Sequence, residues 1–508
     1  MAKAISAFLS PHQAWKALLD YREKYYRQYA ALYSGDFFSL VNTASTGSFW
    51  NRNGKCRIHV PIAADIAATS ADLLFSEAPR LTCYDEKTES DCDKHQQRLE
   101  KLITENNVHS LLNEAAESCA VLGDVYLKLN WRRDLDHPIL TITQGDAAWP
   151  EYRLGQLMCI HFFSVLRDDT VTGGSAVIRI YERYERGKIQ MAVFTGNGDS
   201  LGNLAPASAL KGLGFSPEIK APVQDMLSVH IPNIRPNRLD RSSQHGRSDF
   251  DGLRGMMDSL DETYSSWMRD IRLAKARLIV PGEYLRRKNK DMFDGNSYTY
   301  EFDEDVETLV ALDIDPQHDN GNPITPSQFE IRSAEHAATA ADLIRNIVSE
   351  AGYAPQTFGL NIEGLAQSGT ALRIREKKSY NTRGKKIAYW RAGLEKIMTS
   401  MIHLDAALYP RAGSDAKHDV KVHFADNMAN DLSTTSSAVN LLHSAVAAST
   451  EVKVAMLHPD WSKKQVAEEV AKIMRENGIS TGAANTLDGD YHDDGNPPNK
   501  GKDQKEIE

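Results

Sequence analysis

Hydrophobic and polar positions along this chain follow two periods, and the switch between them organises its first third. Trp15, Leu18, Leu19, Arg22, Tyr25, Tyr26 and Tyr29 recur every three or four residues. That spacing predicts a helix running to about Leu32 with an aromatic stripe on one face. Core packing is the ordinary use of such a stripe. A second helix is predicted after Pro61, with Ile62, Ile66, Thr69 and Leu73 on one face and an end at Ser76 to Pro79, and a third over residues 94–117. From Ala120 the period falls to two. Val121, Val125, Leu127 and Leu129 alternate with Asp124, Tyr126, Lys128 and Asn130, which predicts a strand, and Ile139 to Thr143 predict another. Val177 to Tyr184 and Ile189 to Phe194 flank Arg186-Gly187-Lys188, a hairpin signal. Residues 196–222, rich in Gly, Ser, Ala and Pro, read as an exposed loop.

The middle of the chain is helical on a longer scale. Residues 232–252 are polar and lead toward a helix cap near Asp249 or Asp251. Leu253, Met257, Leu260, Tyr264, Trp267, Ile271, Ala274 and Leu278 are then spaced alternately by four and three. This seam predicts a helix about 40 Å long that keeps one face against a partner. Pro281-Gly282 stops it. A basic cluster, Arg286, Arg287, Lys288 and Lys290, and an acidic strand-like run from Tyr298 to Asp315 fill the next 50 or so residues. That insert is small for an independent domain. A second helix is predicted from Ala334, with Ala337, Ala340, Ile344, Ile347 and Ala351 on one face and Gly352 as its C-cap. Residues 353–368 contain no Lys or Arg and lead to a third long helix over Gly369 to Leu408. A strand over 420–426 and helices over Ser433 to Leu457 and from Ser462 to Gly478 follow, the last with a capping box at Ser462 and Gln465. From Thr481 onward the composition predicts disorder.

Composition changes this picture in three ways. Length, 508 residues, suggests about three compact units. With 41% hydrophobic and 25% charged residues and a mean hydropathy of −0.45, the chain should fold and stay in water. A net charge of −10 argues against a protein that coats nucleic acid by neutralising phosphates. Five cysteines without a CxxC pair suggest neither a zinc ribbon nor a disulfide framework. The N-terminus does not read as a signal peptide, and the charge-free stretch Leu432 to Thr450 is too polar to span a membrane.

Catalytic motifs are missing. GSFWNRNGKC at 47–56 has the wrong spacing for a P-loop and a cysteine where the magnesium-binding hydroxyl belongs. The histidines show no i, i+4 metal spacing, and no cofactor or metal is expected. The acidic run Glu301, Asp303, Glu304, Asp305 and Glu307 lacks the EF-hand glycine and closing glutamate, so a solvated or subunit-facing surface is the simpler reading. Between Thr370 and Lys396 nine basic residues face two acidic ones, a net of +7. Arg373, Arg375, Lys377, Lys378, Arg383, Lys385 and Lys386 form the dense part. A solvated face, an intersubunit salt-bridge surface and a polyanion contact are all open for it.

The order of elements resembles the portal proteins of tailed double-stranded-DNA bacteriophages, particularly the long-tailed type. VPIAADIAATSADLLFSEAPRL at 60–81 looks like that family's early helix and its proline turn. SCAVLGDVYLKL at 118–129 is similar to its helix-to-strand step. The succession of long helix, insert, second helix, loop and long polar helix between 251 and 408 is the strongest likeness, and AGYAPQTFGLNIEGLAQSGTALRIREKKSYNTRGKK at 351–386 looks like the family's passage through a tunnel loop.

The resemblance implies an α+β portal fold and a ring-forming subunit, without enzymatic activity. Its mixed α/β wing would comprise residues 1–245 with a return at 405–430. A helical stem would follow at 246–280 and 334–352, around a small α/β clip at 281–333. A tunnel loop at 353–369, a linking helix at 370–408, an α-helical crown at 431–478 and a disordered tail at 479–508 complete it. Implied partners are further copies of the chain, in a dodecamer, and double-stranded DNA passing without sequence specificity. A terminase packaging ATPase, a head–tail adaptor and the major capsid and scaffolding proteins complete the set, with no membrane. The implied place is the capsid portal vertex of the virion, after assembly in the host cytoplasm. Asn361, Glu363 and Gln367 become tunnel-loop candidates; Arg286, Arg287, Lys288 and Lys290 become candidates for docking the motor or adaptor. Leu260, Tyr264, Trp267 and Ile271 become the subunit seam. The alternative is a cytoplasmic multidomain nucleic-acid enzyme or scaffold of unrelated fold, using the basic helix.

Overall fold

A computed structural model describes residues 8–44, 49–51, 57–84, 92–132, 134–168, 176–274, 277–279, 286–289, 298–301, 325–327, 331–360, 369–410, 418–424, 432–458, 461 and 463–476. Ser10 opens the first helix, α1 (Pro11–Tyr21), through a capping box with Gln13, and Pro11 sits at its first position. The helix runs on through a π-helical turn, Arg22–Tyr26, into α2 (Arg27–Ser34), which closes on Gly35. The stripe is buried as expected: Trp15, Leu18, Tyr25, Tyr26 and Tyr29 all face inward. After α3 (Phe37–Thr43) comes α4 (Ile62–Phe75), where predicted, and then β1 (Arg80–Tyr84), which periodicity does not flag. The helix expected over 94–117 is two, α5 (Cys92–Glu105) and α6 (Val108–Leu122), broken where Asn107 takes a φ of 47°.

The strand expected from Ala120 begins later, because Ala120 to Leu122 still belong to α6. Gly123, at a φ of 90°, ends that helix and β2 (Asp124–Asn130) starts at the next residue. β3 (Ile139–Gln144), β4 (Ala148–Arg153) and β5 (Gln156–Asp168) follow, then the predicted hairpin, β6 (Val177–Glu185) and β7 (Lys188–Gly196). β4 and β5 escape sequence reasoning for a physical reason. Cys159 to Phe163 are buried on both faces, so no polar alternation marks them. The segment read as an exposed loop holds β8 (Asn203–Leu204), α7 (Ala207–Gly212) and β9 (Glu218–Lys220), and β10 (Ser228–Pro232) comes next. β10, β2 and β3 form one antiparallel sheet; β4 to β8 run in order in a second, with β9 also paired to β7.

α8 (Arg254–Leu273) starts without a side-chain cap, so the caps expected at Asp249 or Asp251 are not used. It is also shorter than its seam suggests, about 30 Å, because Arg277–Ile279 form β11. Within the insert, β12 (Arg286–Asn289) pairs with β13 (Tyr298–Glu301), and β14 (Thr325–Ser327) pairs with β11. α9 (Ser333–Ala351) ends on Gly352 at a φ of 103°, as predicted. α10 (Gly369–Leu408) has the predicted bounds, and β15 (Asp419–His423) pairs with β1.

The chain forms two compact units, Met1–Ala425 and Asp426–Glu508. The larger unit has its main core between α5, α6, α10 and the two larger sheets, where Leu99, Leu112, Leu127, Phe162 and Trp390 meet. A second cluster joins the Tyr stripe to α4 and to the near ends of α8 and α9. A third packs α1 on the outer face of the β4–β8 sheet. In the smaller unit the single helix expected over 433–457 is α11 (Leu432–Ser444) and α12 (Thr450–Leu457), the latter capped by Ser449; α13 (Lys463–Glu476) follows. The tail at 479–508 lies outside the described residues.

Candidate functional site

Where the sheet-bearing part of the large unit hands over to the α8–α9 pair, the polar stretch 232–252 is folded inward. Gly123 makes this possible. A Cβ there would lie 2.9 Å from the backbone of Arg247 and Ser248, besides straining the positive φ. Asn233 N–H donates to the Gly123 carbonyl at 2.8 Å, and Asp249 N–H to that of Ala120 at 3.0 Å. Asp124, the first residue of β2, is fully buried and accepts four hydrogen bonds. They come from Tyr26 Oη (2.7 Å), His230 Nε2 (2.7 Å), His245 Nδ1 (2.9 Å) and the Gly246 N–H (2.8 Å). Burial alone would raise its pKa, but the two imidazoles and their hydrogen bonds outweigh that and hold it well below the usual carboxylate value.

A second buried cluster ties this corner to α10. Lys386 Nζ lies 2.6 Å from Asp249 Oδ2 and 2.6 Å from Ser70 Oγ of α4, and 2.9 Å from Tyr353 Oη after α9. Tyr353 Oη in turn donates to Asp249 Oδ2 at 2.8 Å. The Lys386 and Asp249 side chains are 1% and 2% exposed, so this is an ion pair in a dry interior with its remaining donors satisfied.

The basic face of α10 is therefore not one surface. Arg383 is buried and its Nε donates to the Leu73 carbonyl near the end of α4 at 2.5 Å. Lys378 donates to the carbonyl (2.5 Å) and hydroxyl (2.8 Å) of Ser349 in the last turn of α9. Helix C-termini carry unsatisfied carbonyls and partial negative charge, which cations neutralise. Lys377 and Lys385 are exposed. Arg373 and Arg375 fall in the first turns of α10.

α8 and α9 pack antiparallel. Near one end Leu260 is fully buried, together with Ile347 and Val348. Farther along, Trp267 stacks on His336 with ring centroids 6.0 Å apart, and Asp270 Oδ2 meets His336 Nε2 (3.0 Å) and Arg332 (2.9 Å). His59 Nδ1 and the Val60 N–H fasten the near end of α8 through Asp261, at 2.9 and 2.8 Å. Much of the predicted seam thus meets α9 of the same chain: Leu260 is enclosed, Tyr264 and Trp267 are half-buried, and Ile271 stays 40% exposed. Leu273 and Ile331 are exposed at the same end of the pair.

Arg286, Arg287 and Lys288 lie on β12, opposite Glu301, Tyr300 and Thr299. Lys290 and the tunnel-loop candidates Asn361, Glu363 and Gln367 lie outside the described residues. Sequence reasoning gave Asp124 only a place in a strand and Asp249 only that of a helix cap, and did not bring them together with His230 and His245. These residues stand far apart in sequence, at the start of β2, in β10 and in the polar stretch 232–252, so no local spacing links them. Among the described residues, no helix is long and apolar enough to cross a membrane.

An α+β body bearing an antiparallel helix pair around a β-containing insert, followed by one very long helix, fits the class of phage portal proteins. The sequence profile described as "Phage portal protein, SPP1 Gp6-like" matches residues 16–478. The chain belongs to that family, and it is a structural portal protein of the capsid vertex. Among curated proteins none matches the chain. Similar solved structures include the virion of a native gene transfer agent particle, at 12% identity and a TM-score of 0.39 over 78% of this chain and 89% of that one. The neck of an empty gene transfer agent particle, computed with C6 symmetry, gives 12% and 0.40 over 78% and 90%. The neck of a native particle, computed with C12 symmetry, gives 11% and 0.39 over 78% and 89%.

Proposed function

We propose that identical copies of this chain close into a ring of twelve around an axial channel, through which double-stranded DNA enters the capsid and later leaves it. Family membership across residues 16–478 carries the reading. In this ring α8 and α9 are the stem, 281–333 the clip that meets a packaging ATPase and a head–tail adaptor, 353–369 the tunnel loop and 431–478 the crown. The sheet-bearing part of the large unit is the wing. Several features of the chain support the assignment. Ile271, Leu273 and Ile331 are exposed apolar side chains at one end of the α8–α9 pair, where a neighbouring subunit would cover them. The net charge of −10 suits a passage, because DNA held by many cations would have to be released at each step. Arg383 and Lys386 are engaged inside the chain and are withdrawn from any DNA contact, whereas Lys377, Lys385, Arg391 and Lys396 of the same helix are exposed.

Negative-stain microscopy of the purified chain tests this directly. Rings with a central hole and twelvefold averages are expected. A monodisperse monomer at every salt concentration refutes the proposal, and nucleotide- or metal-dependent turnover by the protein alone would favour the enzyme alternative.

A further inference from the structure

Glu151 on β4 stands opposite Cys159 on β5, and His161 lies two residues further along β5. The period of two places all three on one face of the sheet, the face that α1 covers through contacts such as Trp15 on Phe163. Their ligand atoms close a triangle. Cys159 Sγ is 3.4 Å from His161 Nε2 and 3.7 Å from Glu151 Oε2, and Nε2 is 3.5 Å from the same oxygen. Sulfur, nitrogen and oxygen ligands around a tetrahedral zinc ion stand about 3.3–3.6 Å apart, given metal–ligand bonds of about 2.0–2.3 Å. The His–Glu edge is too long for a charge-assisted hydrogen bond, which runs at about 2.7–2.9 Å.

The surroundings fit a cation as well. Cys159 and His161 are fully buried, whereas the Glu151 side chain is 13% exposed and offers a way in. Tyr181 Oη lies 2.9 Å from His161 Nδ1. A proton on Nδ1 donated to that oxygen leaves the Nε2 lone pair facing the triangle, the outer-sphere hold usual for a ligating histidine. Arg183, opposite His161 on β6, has its charge engaged by Glu185 at 2.6 Å. Arg153 engages the other Glu151 oxygen at 3.3 Å, and the Leu9 N–H reaches Oε2 at 2.9 Å. The cluster around Asp124 differs: short hydrogen bonds from four donors already occupy its carboxylate.

We propose that Glu151, Cys159 and His161 bind one zinc-class divalent cation per chain, with water in the fourth position, and so fasten the entry to α1 onto the sheet. Thiolate and imidazole select such an ion over calcium or magnesium. The thiol proton leaves to solvent as the S–metal bond forms, and thiolate plus carboxylate balance the ion's two charges. Spacing along the sequence misses this set because one ligand comes from across the strand pair.

The test is titration of the chelator-treated full chain with cobalt(II), a spectroscopic stand-in for zinc. A thiolate-to-cobalt charge-transfer band with tetrahedral visible bands is expected at one equivalent, displaced by zinc, lost in Cys159→Ser and kept in Cys83→Ser. Absence of the band from the wild-type chain, or its survival in Cys159→Ser, overturns the proposal. Tyr181→Phe keeps every ligand and serves if the cysteine variant does not fold. Its cobalt affinity should fall about 10- to 100-fold, and an unchanged affinity overturns the proposal equally.

Discussion

Lys386 shows how far one residue's role can sit from what its neighbours in sequence suggest. It belongs to the most basic stretch of the chain, yet its ammonium is enclosed with Asp249, Ser70 and Tyr353. Lys386→Met leaves Asp249 buried and unpaired, and the expected loss is about 3–5 kcal/mol of unfolding free energy, read from the urea midpoint. Adding Asp249→Asn should recover part of it, because the desolvated charge is then gone while an amide oxygen can still accept from Tyr353 or Asn233. A single variant that loses under about 1 kcal/mol would show that the pair anchors nothing. A count of charges gave the basic stretch its net +7 but not its direction. Whether a lysine points to water or to a carboxylate depends on the segment across from it, and residues 232–252 carry no periodic signal of their own.

At the scale of elements, long patterns were the most legible. α9 lies where apolar spacing and the Gly352 cap place it, α10 has the expected bounds Gly369 to Leu408, and the β6–β7 hairpin turns at Gly187. Breaks inside long patterns were not. α5 and α6 read as one helix because Asn106-Asn107 interrupts the backbone without disturbing the apolar spacing. The Cys159–Phe163 stretch of β5 was silent because both its faces are covered. For α8 the spacing predicted a seam and left the partner open; α9 of the same chain takes part of it. This changes which substitution isolates assembly. Trp267→Glu would remove the stack on His336 and bring a carboxylate near Asp270, which disturbs the subunit itself. Ile271→Glu alters an exposed position, so it should abolish rings while circular dichroism and the melting temperature of the subunit stay unchanged. Normal rings from Ile271→Glu would remove that position from the interface.

For the whole molecule, the insert between α8 and α9 separates two requirements, closing a ring and engaging the packaging machinery. If it is the clip, reversing the charge of Arg286, Arg287, Lys288 and Lys290 to Glu should leave rings intact and abolish DNA packaging in a reconstituted assay. Full packaging by such rings would refute the assignment. The architecture as a family likeness was legible in the order of helices and insert; the buried joint beneath it was not, since it is built from single polar residues far apart in sequence.

That joint has a mechanical consequence. α10, about 60 Å long, holds the last turn of α9 through Lys378, the end of α4 through Arg383 and the approach to α8 through Lys386, while Thr399 and Glu395 accept from Val420 and Val422 of β15. Because these attachments all sit on one helix, a displacement of the α8–α9 pair must either carry α10 with it or break one of them, which couples movement at that pair to α4 and β15.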